Sequence, residues 1–225
     1  TIENMDRAIA MIRETGKVYE TGELSFDFYY TYANEHQPGI LLDSLQCNMQ
    51  VSNGNCRSLM GNTIILKNKQ YNIAVFKDDK LIHVSRAMRG DSLGGSPLAL
   101  ITTAIRQAGV QACHITSKQG ITSIHFDFSL DANYKYMEMQ LDTSNWHIEK
   151  LEYVVKSTML KDASEADGNK YEPYAQVKAI FYHYENDHID PAVFAAEPFF
   201  TRKADALIPA PAYEAYEVFI GTPNF

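Results

Sequence analysis

Leu24-Ser25-Phe26-Asp27-Phe28-Tyr29-Tyr30-Thr31-Tyr32 is the stretch whose reading decides the fold class. Leu24, Phe26, Phe28, Tyr30 and Tyr32 recur at every second position, with Ser25, Asp27, Tyr29 and Thr31 between them. A period of two places the large side chains on one face of an extended strand. The chain as a whole leans the same way: its 14 Tyr and 11 Phe suit pleated, half-buried surfaces.

N-terminal to this strand the period changes. Ile2, Met5, Ile9 and Ile12 recur at helical spacing, Ala8 and Met11 widen the stripe, and residues 2–18 read as an amphipathic helix. Thr1 suits its N-cap and Glu3 its first turn. On the other side, His36-Gln37-Pro38-Gly39 makes a turn. Strands at 40–52 and 55–60 follow, joined by Ser52-Asn53-Gly54-Asn55, a strong hairpin signal. Gly61, Asn68-Lys69 and Asp78-Asp79 separate runs at 62–67, 70–77 and 80–87, which read as a meander. Ser96 suits an N-cap and Pro97 a first helical position, giving a helix over 97–107 that stops at Gly109. Strands resume at 111–117, 120–129, 134–142 and 146–158. A polar loop at 161–170, a long strand at 171–185, a helical turn from Asp190-Pro191 and a last strand at 213–220 complete the chain.

Twelve candidate strands and two helices are more strand than a flat sheet tolerates, since sheets beyond about ten strands curl. The expectation is a mainly β (α+β) fold. It is a strongly curved antiparallel sheet or half-barrel, covered by the N-terminal helix and the mid-chain helix. No Pro/Gly/Ser-rich linker divides the chain, so residues 1–225 read as a single domain. The two helices cannot fill the whole trough, which leaves a residual apolar groove.

With 20 basic against 28 acidic residues the net charge is −8, which opposes phosphate-backbone binding and excludes nucleic acid as a partner. No stretch reaches the roughly 18 consecutive apolar residues of a transmembrane segment. The three cysteines are an odd number. An Asn53-Gly54 hairpin sets Val51 opposite Cys56 and Met60 opposite Cys47. The two thiols then lie about 13 Å apart, beyond disulfide reach. Free, buried thiols are expected.

Three stretches carry a resemblance: SFDFYYTYANE (25–35), CNMQVSNGNCRSLMGNTIILKNKQYNIAVFKDDKLIHVS (47–85) and HIDPAVFAAEPFF (188–200). Together with the order of helix, long strand, meander, helix and long strands, they resemble the LolA-like proteins of the lipoprotein-carrier superfamily. These are half-barrels with helical lids found in bacterial envelopes. The resemblance implies a periplasmic or secreted, envelope-associated protein, with a signal peptide or lipoprotein leader preceding Thr1. In that family an arginine at the cavity rim holds a lid, and the resemblance places Arg57 of NCRSLMG there. The chain departs from the transport carriers in lacking their tryptophan-rich, basic early strands.

The groove is assigned to Leu24, Phe26, Phe28 and Tyr30, with Met49, Val51 and Met60 beside Cys47 and Cys56 on neighbouring strands, and Arg57 at the rim. Methionine gives an adaptable lining of the kind used at promiscuous apolar surfaces. Packing beneath the helices is the plainer reading of each residue taken singly. The remaining constellations are weaker. HYENDH (183–188) crowds two histidines with carboxylates but lacks HExxH, CxxC or EF-hand spacing, and reads as a polar strand end. Ser123, His125 and Asp127 share one strand face without a nucleophile elbow. Gly90, Gly94 and Gly95 lack phosphate-loop spacing. No catalytic residue, metal or cofactor is assigned. The leading expectation is a non-enzymatic envelope protein whose partner is an apolar small molecule, a lipid or acyl chain, or a lipidated protein. The alternative is a structural or protein-interaction module with a self-filled core, and a hydrolase is a distant third.

Overall fold

The structure is a computed structural model that describes residues 2–87, 97–160, 170–203 and 206–221. The elements in chain order are α1 (Met5–Thr21), β1 (Glu23–Asn34), β2 (Leu41–Ser52), β3 (Asn55–Met60), β4 (Thr63–Lys67), β5 (Tyr71–Phe76) and β6 (Leu81–Arg86). Then come α2 (Pro97–Gln107), β7 (Val110–Lys118), β8 (Ile121–Phe128), β9 (Tyr134–Asp142), β10 (His147–Lys156) and β11 (Tyr174–Glu185). The chain closes with β12 (Phe200–Lys203), β13 (Ala206–Pro209) and β14 (Glu217–Ile220).

Among the described residues twelve strands form one sheet in the order β14-β6-β5-β4-β3-β2-β1-β11-β10-β9-β8-β7, and β12 pairs with β13 separately. The order has two different end strands, so the sheet is open. The expected class holds: mainly β, one large antiparallel sheet, two helices. The β12–β13 pair lies where no strand was expected, and β14 departs in two ways. β14 joins β6 in parallel, from Glu217 opposite Leu81 to Ile220 opposite Val84. It is also shorter than the strand expected at 213–220, because Pro211–Tyr213 forms a 3-10 turn. The caps assigned to Thr1 and Ser96, the Gly90, Gly94 and Gly95 run and all but the last residue of the 161–170 loop lie outside the described residues.

The chain divides into two compact units. The first contains residues 1–18, 28–46 and 97–182, with most of α1, all of α2, and β7 to β10. Gln119 and Gly120 both have positive φ, the backbone of the tight turn that joins β7 to β8 in register. Alternation along these strands then builds two apolar cross-strand rows on one face. Cys113, Phe126, Met137, Tyr153 and Val177 stand opposite one another in sequence, and so do Ile115, Ile124, Met139, Leu151 and Ala179. The helices in this unit supply short buried stripes: Ala8, Met11 and Thr15 of α1, and Leu98, Ile101 and Ala104 of α2. The α1 stripe is rotated from the expected one, and Ile9 points largely to solvent.

The second unit contains residues 19–27, 47–96 and 183–225. Asn53 and Gly54, at φ +50° and +81°, form the expected hairpin, with Cys47 opposite Met60 and Val51 opposite Cys56. All three cysteines are buried and none is in a disulfide. Between β3 and β4 the buried face changes sides. Met60 pairs with Thr63 across a two-residue turn, which puts Met49, Ser58 and Ile65 on one face and Leu59, Ile64 and Val75 on the other. β2 and β3 bury the first face, whereas β4 to β6 bury the second through Ile64, Leu66, Ile73, Val75, Ile82 and Val84. That second face is covered by the C-terminal segment, whose Ala196, Phe199 and Phe200 belong to the same core cluster. Leu207, Tyr213, Tyr216 and Val218 pack against its margin.

Phe200, 3% exposed and edge-on to Tyr71 at 5.5 Å, measures the worth of this cover. Phe200→Ala is expected to destabilise the chain by about 3–5 kcal/mol, the usual loss for a truncated core aromatic. Chemical denaturation checks it; a loss below about 1 kcal/mol would mean that the segment is not core.

Candidate functional site

In the first unit the apolar face is distinguished by its softness and by one polar spot. Met137 and Met139 sit side by side in the two rows with Phe126 and Ile124, all fully buried. Phe28 of β1 stacks on Phe181 of β11 with ring centroids 5.3 Å apart. Two residues further along β1, the Tyr30 hydroxyl lies 3.2 Å from that of Tyr153. Tyr134 meets Tyr153 edge-on at 5.9 Å and Phe128 at 5.8 Å. Burial, reinforced by the neighbouring Tyr30, raises the Tyr153 phenol far above its ordinary range, and burial raises Tyr134 as well. Both remain neutral hydroxyls. Tyr30 keeps partial exposure whereas Tyr153 is buried, so the hydroxyl pair marks a passage from polar to apolar surroundings.

Of the eight residues assigned to the groove from sequence, Phe28 and Tyr30 belong to this unit and the other six to the second. Leu24, Phe26, Met49 and Val51 are at most 1% exposed. Tyr19, at the end of α1, meets Phe26 edge-on at 5.4 Å, and Tyr184 stacks on Phe26 at 5.2 Å. The Tyr19 and Tyr184 hydroxyls are 2.7 Å apart. Met60 is half-buried on the same strand face as Cys56. Arg57 is not: it alternates to the opposite face, opposite Leu66 of β4. There its charge acts on Tyr213 of the C-terminal segment.

The polar constellations are parted by the fold. His183 has φ +52° near the end of β11, a left-handed residue that re-aims its side chain, and its Nδ1 lies 3.1 Å from Asp27. His188 turns instead to Glu23, also at 3.1 Å. That contact, with a hydrogen bond from Ser52, lowers the Glu23 pKa. Among the described residues no group of three or more His, Cys, Asp or Glu side chains is disposed to hold a metal. On the outer face of the first unit, His114, His125, Glu138, Glu152 and Lys178 stand opposite one another across five strands. The two nitrogens of His125 face Asp127 at 3.2 Å and Glu138 at 3.6 Å, so neither is aimed at Ser123. Burial pushes Glu152 up, but Lys150 at 3.0 Å and a 2.9 Å hydrogen bond from Tyr136 outweigh it and leave the carboxyl below its usual range. The row is an ion-paired outer surface.

Sequence reasoning did not single out Phe126, Met137, Met139 and Tyr153, which build this apolar face. The signal was present in the alternation of Tyr134-Lys135-Tyr136-Met137-Glu138-Met139, which points both methionines to one side.

No protein-family profile and no curated sequence matches the chain. Among solved structures it is similar to an uncharacterized conserved protein from Thermus thermophilus, with 7% identity, a TM-score of 0.47, and coverage of 95% of this chain and 99% of that one. It is also similar to a LolA superfamily protein from Nitrosomonas europaea, at 8% identity and TM-score 0.35, covering 84% and 98%. A third is the Mycobacterium tuberculosis lipoprotein LppX, at 8% identity and TM-score 0.39, covering 82% and 96%. At such identities, the side chains of this molecule alone decide what it can bind. No helix among the described residues is long and apolar enough to cross a membrane.

Tyr136 gives a pH test of this geometry. Burial, with Glu152 and Glu138 close by, raises its phenol to about 12. The folded state therefore favours the protonated form. Its contribution is complete below the unfolded value near ~10 and is lost as the pH rises through about 12. Spectrophotometric titration at the tyrosinate band should show a late phenol that disappears in Tyr136→Phe. Loss of a phenol from the ordinary part of the curve instead, with the late part unchanged, would place Tyr136 in solvent.

Proposed function

We propose that this chain is a non-enzymatic binding protein of the bacterial envelope that shelters an acyl chain on the inner face of its first unit, with Phe28, Tyr30, Phe126, Met137, Met139 and Tyr153 as walls. The observation that carries the reading is that two fully buried methionines, Met137 and Met139, stand in the cross-strand rows beside Phe126 and Tyr153, in the unit to which α1 and α2 bring buried stripes. Unbranched thioether side chains re-pack around a guest at small cost. The Tyr30 and Tyr153 hydroxyls offer a hydrogen-bonding point that an ester or carboxyl end would use.

The walls are covered by the chain's own residues, so a ligand has to displace part of that cover. Apparent affinity falls by the fraction of molecules that are open. The same burial favours a second reading, a self-filled interaction module: Leu24, Phe26, Phe28, Met49 and Val51 are all at most 5% exposed.

Titration with a fluorescent fatty acid, then displacement by unlabelled acids of increasing length, separates the two. A carrier is expected to bind roughly fourfold more tightly per added methylene, from about 0.8 kcal/mol of burial each. No fluorescence change, or displacement independent of chain length, would leave the self-filled module.

A further inference from the structure

The second unit holds a cleft of about 390 Å³ that none of the groove residues lines. Asn55 and the turn Asn68-Lys69-Gln70 form one wall, and Pro191, Phe194 and Glu197 lie across it. The walls are stitched together. The Asn68 side chain donates to the Phe194 carbonyl at 3.0 Å and accepts from the Gln70 and Tyr71 N–H groups, both at 2.9 Å. Asp190 caps the 3-10 turn Pro191–Phe194 by accepting from Ala192 N at 2.9 Å. Phe194 is anchored in the interior. A cleft with walls fixed in this way does not have to be organised by its ligand.

Its chemistry is two-signed. Lys69 brings an ammonium to the lining from the turn after β4 and Glu197 a carboxylate from the C-terminal segment, with the Gln70 carboxamide and the apolar surface of Pro191 alongside. A lone anion finds a favourable partner only in Lys69 and a lone cation only in Glu197. A small molecule with opposite charges at its two ends meets both. We propose that this cleft binds a zwitterion of the amino-acid or dipeptide class, with its carboxylate toward Lys69 and its ammonium toward Glu197. The volume lies at the lower end of small-molecule sites, roughly 300–1,000 Å³. Both charges are exposed, so each contact is worth little and the binding is weak and salt-sensitive. This site is independent of the acyl-chain reading and shares no residue with it.

The test is an NMR titration of the ¹⁵N-labelled full chain with alanyl-leucine. Saturable shifts are expected at residues 68–70 and 192–197, with none from the N-acetylated, C-amidated dipeptide. Lys69→Glu or Glu197→Lys should weaken binding at least fivefold, and the two together should restore it with the ligand reversed. Because both side chains are exposed, an unchanged spectrum elsewhere verifies folding. Equal binding of the blocked dipeptide, indifference to either charge reversal, or no saturable shift in these segments would overturn the proposal.

Discussion

Alternation along a strand, fixed in phase by the tight turns at its ends, is the constraint on which the rest of this molecule depends. A two-residue turn forces the residues that flank it onto the same face, so each turn decides which side chains of the next strand need cover. The turn at Asn53-Gly54 keeps Val51 and Cys56 on one side. The turn between Met60 and Thr63 does the same for that pair and so sends Ile64 and Leu66 to the opposite side. Once the phase is set, a sheet of twelve strands has apolar surface that helices alone do not cover.

Each unit meets that requirement in its own way. In the first, buried stripes from α1 and α2 accompany the rows built by Phe126, Met137, Tyr153 and their neighbours. In the second, the segment from Ala196 to Tyr216 covers β4 to β6 and continues into β14 on the edge of β6. The two covers differ physically. The C-terminal segment brings Phe199 and Phe200 into a rigid aliphatic cluster and adds a strand to the ladder. α2 contributes the short buried stripe Leu98, Ile101 and Ala104 to a unit whose apolar rows contain Met137 and Met139, side chains that re-pack readily. If one region opens to a ligand at modest cost, it is the one that holds these methionines.

The residues made much of the fold legible. The alternation at 24–32, the Asn53-Gly54 hairpin, its register down to Cys47 opposite Met60, and the helix beginning at Pro97 are all found where the pattern puts them. These are local properties, set by period and turn chemistry. The C-terminal cover was not legible, because Phe199 and Phe200 lie in a Pro-punctuated stretch with no periodicity and their partners are more than a hundred residues away. The parallel pairing of β14 was hidden for the same reason. The candidate site was legible in part. Phe28 and Tyr30 were readable from their strand, but Arg57 was carried by family resemblance, and alternation places it on the face opposite Met49 and Met60. The parity argument that shows this needs only alternation along 56–60 and the Asn53-Gly54 hairpin, so the signal was present in the sequence.

The most direct test is hydrogen–deuterium exchange across the first unit, with and without a saturating long-chain fatty acid. If α2 is a displaceable cover, its amides from Ile101 to Ala108 exchange faster than those of β8 to β10 in the free chain and slow when the acid is present, while the strands stay protected throughout. Exchange of α2 as slow as that of the strands, unaltered by the acid, would contradict the account and leave a permanently closed core.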